Sequence, residues 1–220
     1  MPSKLLFLPG ALGRTQLWEP VANLLGHSAA KVHFGWPGFG SAPPDPFIRG
    51  IDDLVAKVVA RIDQPTALIA QSMGGVIAMR VALEKPDLVT HLVLAVTSGG
   101  MDVAGLGGQD WRPLFHEANP LLPRWFSTYR EDLSPRLSKV TMPTLLLWGD
   151  ADPISPVGVG ERLASLLPCA HLHIVEGGGH DLAETHAEVI APLIDEHLAK
   201  AAHPSNHRTR RDKAARRPRP

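Results

Sequence analysis

The 220-residue chain carries 22 basic and 22 acidic residues, for a formal net charge of zero, and 44% of its residues are hydrophobic, which suits one domain with a sizeable core. Its single cysteine excludes an intramolecular disulfide framework and is compatible with a reducing compartment. No stretch approaches the roughly 18 consecutive apolar residues of a membrane span, so we expect a cytoplasmic protein with no membrane partner.

Apolar runs of strand length alternate with segments of helical periodicity along the chain. The predicted strands lie at 4–11, 67–70, 90–96, 143–149 and 170–175, and the predicted helices at 51–62, 76–83, 161–167 and 189–198. Such alternation is typical of a parallel sheet that is covered by helices. No internal repeat interrupts it.

A serine among small residues follows the second of these strands. A serine hydroxyl is a poor nucleophile at neutral pH, so a protein that uses one must place it outside the fold, beside a base and beside backbone N–H donors. A sharp turn from strand to helix does this, but it needs small residues two positions before and after the serine. Ala70 and Gly74 meet this need around Ser72. The alternative is a Ser/Gly-rich helix start in which Ser72 is the N-cap.

Two later strands end in residue types that a serine nucleophile requires. The strand at 143–149 runs into a loop rich in glycine, aspartate and proline that holds Asp150 and Asp152. The strand at 170–175 ends in a glycine run followed by His180. The chain has eleven histidines, and we interpret the others as ordinary surface or core residues because none stands in a comparable position.

Between residues 99 and 138 the alternation of strands and helices stops. Glycines open this segment, and its aromatic residues are concentrated in nineteen positions, at Trp111, Phe115, Trp125, Phe126 and Tyr129. An apolar face here predicts an apolar group in a ligand, and the alternative is that the rings only pack the segment onto the sheet. Its arginines favour a solvated surface over contact with an acidic substrate or an acyl carrier protein.

The last twenty residues, 201–220, have a different composition. They hold seven of the 22 basic residues, one of the 22 acidic residues and no large apolar side chain, which leaves a net charge of −6 on residues 1–200. This tail cannot bury a face, so we predict that it is disordered. It lacks the interleaved aromatic residues that stack on bases, so binding of nucleic acid is not favoured over a solvated extension.

Over about residues 3–200 the chain resembles the α/β-hydrolase superfamily, in its serine hydrolase or carboxylesterase branch. The turn at Ser72 is similar to the family's Gly-x-Ser-x-Gly elbow, although Ala70 replaces the first glycine. The segment 32–41 is similar to a structural turn of the family. The spacing of Asp152 from Gly149 and Pro156 matches the family's acid turn, and the order Ser, Asp, His is kept.

The resemblance implies a fold and a site. The fold is an α/β three-layer sandwich with a mostly parallel sheet, trimmed at its N-terminus, with a short helical lid at about 99–138 inserted into a domain spanning 1–200. The catalytic residues would be Ser72, Asp152 and His180, with Asp150 as the competing acid. The remaining implied site residues are the oxyanion donors Ala11 and Met73 and the pocket or lid residues Leu12, Trp111, Phe115, Trp125 and Phe126.

The expected activity is hydrolysis of a carboxylic ester with a small or medium apolar acyl group, so the expected partner is a small-molecule ester. Thioesterases, acyltransferases and acyl-carrier methyl esterases of this fold carry nearly the same motifs, and an acyl carrier protein is therefore a further candidate partner. A small-molecule receptor that does not turn over its ligand remains as another class. The sequence has no cysteine pair, His-Glu-x-x-His motif or phosphate loop, so we expect no metal and no cofactor.

Overall fold

The structure, a computed structural model, describes residues 1–40 and 42–201. Nearly all of the predicted basic tail lies outside the described residues. Within them, six strands form one sheet in the order β2-β1-β3-β4-β5-β6, and neighbouring strands pair in parallel. The strands are β1 (Lys4–Leu8), β2 (Ala30–His33), β3 (Thr66–Gln71), β4 (Val89–Ala95), β5 (Thr144–Gly149) and β6 (Ala170–Val175).

The helices of the described residues connect these strands and cover the sheet. They are α1 (Glu19–Leu24), α2 (Ile51–Val59), α3 (Met73–Glu84), α4 (Arg112–Ala118), α5 (Trp125–Thr128), α6 (Val157–Leu166), α7 (Leu182–Thr185) and α8 (Ala187–Leu198), with 3₁₀ turns at Thr15–Trp18 and Ser134–Lys139. Within the described chain, no helix combines the length and the apolar character that crossing a membrane requires.

The strand order divides the helices into two layers. The chain moves from β1 to one edge at β2, then reverses and adds β3 to β6 on the other side. Because crossovers between parallel strands are right-handed, this reversal places α1 on one face and α2, α3 and α6 on the other. α8 packs against α1 and joins its layer. The predicted three-layer α/β fold is therefore confirmed.

The core lies between these layers and is densest at the middle strands. Every residue of β3 and of β5 is buried, because helices cover both faces of a parallel sheet. The segment 99–138, by contrast, contains only the two short helices α4 and α5 and part of a 3₁₀ turn. It lies between β4 and β5, over the edge of the sheet where the strands end.

Candidate active site

The carboxyl ends of the parallel strands meet at one edge of the sheet, and Ser72 stands there directly after β3. Its backbone angles, φ 52° and ψ −120°, lie outside the regions that residues with a side chain usually adopt. Its hydroxyl makes no capping hydrogen bond to α3, so Ser72 is not the capping side chain of the alternative interpretation. The turn instead presents the hydroxyl outward.

The close approach of α3 to β1 explains the glycine at position 74. A Cβ atom there would lie 2.6 Å from the carbonyl oxygen of Leu8 and 2.5 Å from that of Pro9. Both are backbone oxygens, which cannot move aside as the end of a flexible side chain could. Two residues before Ser72, Ala70 is fully buried, and the turn accommodates its methyl group.

His180 lies between Ser72 and Asp152. Its Nε2 atom is 3.1 Å from Ser72 Oγ, and its Nδ1 atom is 2.7 Å from Asp152 Oδ2. The other oxygen of Asp152 accepts the backbone N–H groups of Ile154 at 2.8 Å and Ser155 at 3.1 Å. An ionised carboxylate only accepts hydrogen bonds, so the proton is on Nδ1 and Nε2 is free to accept from the serine hydroxyl.

Asp152 and Asp150 have different environments. The Asp152 side chain is fully buried, and its charge is stabilised by backbone N–H groups of its own loop. Asp150 is exposed, and its Oδ1 accepts the backbone N–H of Gly177 at 2.7 Å. The carboxyl group that contacts His180 is therefore that of Asp152. Asp150 instead ties the acid loop to the turn that precedes the histidine.

Two backbone N–H groups near Ser72 are available to a ligand. Among the described residues, the N–H groups of Ala11 and Met73 donate to no other protein atom, and both residues line the cavity beside Ser72. Gly10 allows the turn after β1 to approach Ser72. A Cβ atom at position 10 would lie 2.4 Å from Gln71 Oε1 and 3.3 Å from Ser72 Cβ. The predicted oxyanion donors are thus placed next to the serine.

A cavity of about 450 Å³ opens in front of Ser72. Its wall is mostly apolar, and the lid segment supplies part of it. The predicted pocket residues that line it are Leu12, Trp111, Phe115 and Phe126, with Tyr129 beside them.

Trp125 is the exception among the predicted pocket residues. It is not part of the cavity wall, and its ring packs edge-on against Phe39 at a centroid distance of 5.7 Å. Trp125 therefore lies in the lid segment but outside the wall of this cavity. Consecutive residues of a helix point in different directions, so Phe126 reaches the cavity and Trp125 does not, although both rings pack edge-on against Phe39.

Polar groups of the lid bond mainly within the protein. Arg112 donates to the carbonyl of Ser127 at 3.1 Å and pairs with Asp110 at 3.0 Å. The Tyr129 hydroxyl donates to Glu131, and burial together with this bond raises the pKa of Tyr129 above its ordinary value of 10. The phenol therefore stays neutral. Across residues 1–40 and 42–201, no three His, Cys, Asp or Glu side chains are grouped as metal ligands would be.

Two contacts near the serine have no counterpart in the sequence predictions. Gln71 Nε2 donates to the backbone carbonyl of His180 at 2.8 Å and joins the elbow to the histidine loop. Thr97 Oγ1 donates to the backbone carbonyl of Ser72 at 2.6 Å. Gln71 directly precedes Ser72 in the elbow motif, and this position is a sequence signal that could have identified it. Nothing in the sequence around Thr97 indicates its contact with Ser72.

Comparison with known proteins gives consistent matches. Residues 5–130 match the model of a family described as "Alpha/beta hydrolase family", and residues 113–187 match one described as "alpha/beta hydrolase fold". The uncharacterized hydrolase YugF of Bacillus subtilis is 26% identical, with 89% of this chain and 88% of YugF covered. A pimeloyl-[acyl-carrier protein] methyl ester esterase of Neisseria meningitidis is 27% identical, covering 71% and 78%. A thermophilic esterase from Thermogutta terrifontis superposes with a TM-score of 0.73 at 19% identity, covering 89% of each chain.

Proposed function

Because this chain belongs to the alpha/beta hydrolase family, we propose that it is a serine hydrolase that cleaves the carboxylic ester of a small or medium apolar acyl group through an acyl-enzyme. The observation that carries this proposal is the continuous hydrogen-bond path from Ser72 Oγ through His180 to the buried Asp152, with distances of 3.1 Å and 2.7 Å. This path ends at an apolar cavity.

The first half of the reaction uses His180 as a base. Its Nε2 atom accepts the proton of Ser72 while the serine oxygen attacks the ester carbonyl. Asp152 holds the imidazole in the required tautomer and stabilises the positive charge that forms on the ring. His180 then gives the proton to the departing alcohol, and water repeats the same steps on the acyl-enzyme.

The tetrahedral intermediate places a negative charge on the former carbonyl oxygen. The N–H groups of Ala11 and Met73 have no protein acceptor among the described residues, so they are free to stabilise this charge. Loss of one such donor typically lowers the rate by about 10²–10³. Each of these two backbone groups therefore makes a substantial contribution to the rate, although a smaller one than a side chain of the triad.

The cavity wall supports the choice of an apolar acyl group. Trp111, Phe115 and Phe126 present rings to the ligand space, and such surfaces bind apolar groups by removing them from water. One relative favours a second candidate, an acyl-carrier methyl esterase, because a Neisseria esterase named for that activity aligns over 71% of this chain.

Labelling with a fluorophosphonate probe tests the nucleophile, and a series of nitrophenyl esters with increasing acyl length tests the substrate class. We expect stoichiometric labelling and steady turnover by the parent protein and neither by Ser72→Ala. The matched control is Ser165→Ala, since Ser165 is exposed on α6. Binding of esters without turnover would favour a receptor, and turnover restricted to carrier-bound methyl esters would favour the second candidate.

A further inference from the structure

The end of β4 encloses the backbone of Ser72 on both sides. The Ser72 N–H donates to the carbonyl of Ala95 at 3.0 Å, and the Thr97 hydroxyl donates to the carbonyl of Ser72 at 2.6 Å. Val96 lies between these two partners. Both hydrogen-bonding groups of the serine backbone are thus held by a three-residue segment of the neighbouring strand and its exit turn.

This segment has an unusual backbone conformation. Val96 has φ 42°, and within the described residues Ser72 is the other non-glycine residue with positive φ. A positive φ in a β-branched residue is a genuine outlier, and Val96 is only 1% exposed. Its N–H donates to the carbonyl of Leu147 on β5 at 3.1 Å. The strand therefore bends at Val96 while it stays anchored, and the bend brings Thr97 back to Ser72.

The carbonyl that Thr97 contacts belongs to the same peptide unit as the N–H of Met73. A peptide unit is planar and trans, and the described chain contains no cis bond. A hydrogen bond that fixes the Ser72 carbonyl therefore also fixes the direction of the Met73 N–H, which points the opposite way. A donor at the carbonyl also polarises the amide and makes its N–H a stronger donor.

The hydroxyl of Thr97 has no freedom to turn away. It accepts the N–H of Gly99 at 3.1 Å while it donates to Ser72. The Ser72 carbonyl also accepts the N–H of Gly75 at 2.9 Å. We propose that Thr97 is a positioning residue for the oxyanion hole: through the peptide unit shared by Ser72 and Met73, it orients and strengthens the Met73 N–H donor. This inference rests on the proposed function.

The kinetic test compares three variants with the parent protein. Thr97→Val removes the hydroxyl at nearly constant volume, and Thr97→Ser restores it. Thr66→Val is the matched control, because Thr66 is fully buried and its hydroxyl donates to a backbone carbonyl, that of Gln64, at 2.7 Å, at the far end of β3. We expect Thr97→Val to lower kcat by about 10- to 100-fold, less than or equal to the loss of a whole donor.

Two further readouts separate positioning from general destabilisation. The affinity for an aryl trifluoromethyl ketone, which forms a tetrahedral adduct with serine hydrolases, should fall by the same factor as kcat, while KM stays within about 2-fold. Thr97→Ser should regain most of both losses. Thr66→Val should lower the melting temperature without either loss.

A measurement that needs no turnover completes the test. In protein labelled with ¹⁵N-methionine, and with the Met73 signal assigned by Met73→Leu, Thr97→Val should shift the Met73 amide resonance and Thr66→Val should not. An unchanged resonance, or kinetics of Thr97→Val that match those of Thr66→Val, would overturn the inference and leave the proposed function intact. A parent protein without labelling or turnover would overturn the proposed function, while the resonance would still decide the role of Thr97 in orienting this peptide.

Discussion

Acid should destabilise the protein through a histidine that lies far from the candidate site. His197 on α8 is 2% exposed, and burial, followed by the charges of His91 and Lys200, lowers its pKa from 6.5 to about 4, against the opposing effect of the nearby carbonyls of Leu92 and Pro143. Burial lowers the pKa of His91 as well. The two rings pack edge-on at 5.4 Å.

The sign and size of the effect follow from these pKa values. The unfolded chain protonates His197 near pH 6.5 and the folded chain only near pH 4, so stability is complete above pH 6.5 and falls between pH 6.5 and pH 4. At about 1.4 kcal/mol per pKa unit, His197 accounts for a loss of about 3 kcal/mol. For a domain of this size that loss lowers the melting temperature by about 6–12 °C.

Urea unfolding between pH 7 and pH 4, followed by tryptophan fluorescence, measures this loss. His197→Leu removes the group that binds the proton and places an apolar side chain in the same buried position. We expect this variant to lose about 3 kcal/mol less unfolding free energy between pH 7 and pH 4 than the parent protein. His171→Leu, at an exposed position of β6, should leave the dependence unchanged. Equal losses of free energy in the parent protein and in His197→Leu would refute the assignment of this effect to His197.

Five more substitutions test the site. Asp152→Asn should lower kcat by about 10⁴-fold because it disturbs the imidazole tautomer, whereas Asp150→Asn should be nearly silent in steady-state assays; the reverse order would contradict the choice of acid. Phe126→Ala should raise KM for long acyl esters about 10-fold more than for acetate, while Trp125→Ala should lower the melting temperature without changing the chain-length profile. Gly74→Ala should abolish labelling by the fluorophosphonate while the circular dichroism is retained, since its Cβ would meet backbone oxygen at 2.5 Å.

Local patterns were sufficient to predict the fold and to point to Ser72 and His180, whereas the choice of Asp152 over Asp150 depended on the resemblance to the α/β-hydrolase superfamily. Each of these residues follows a strand, with the strongest apolar signals in β3 and β5, and parallel strands end at the same edge of a sheet. The helix after Ser72 begins at Met73, three residues before its predicted start at 76. The two glycines that weaken the helical signal are required by close contacts, Gly74 with backbone oxygens at the end of β1 and Gly75 with the side chain of Thr97.

Contacts between distant parts of the chain could not be predicted in this way. Helical periodicity over the four residues of α5 is too short to define a face, so the sequence could not distinguish Phe126 from Trp125. The backbone strain at Val96 depends on an anchor from β5. The pairing of His91 with His197 depends on the docking of α8 against the sheet, which no local signal reports.

The order of the strands also determines when during synthesis the candidate site is completed. Ser72 and His180 are separated by 108 positions, and His180 follows β6, which is added at the edge of the sheet. A ribosome that adds about 5–20 residues per second needs about 5–20 s to travel between them. Throughout that interval the nascent chain carries Ser72 without His180, so under the proposed function hydrolysis begins only once β6 has docked.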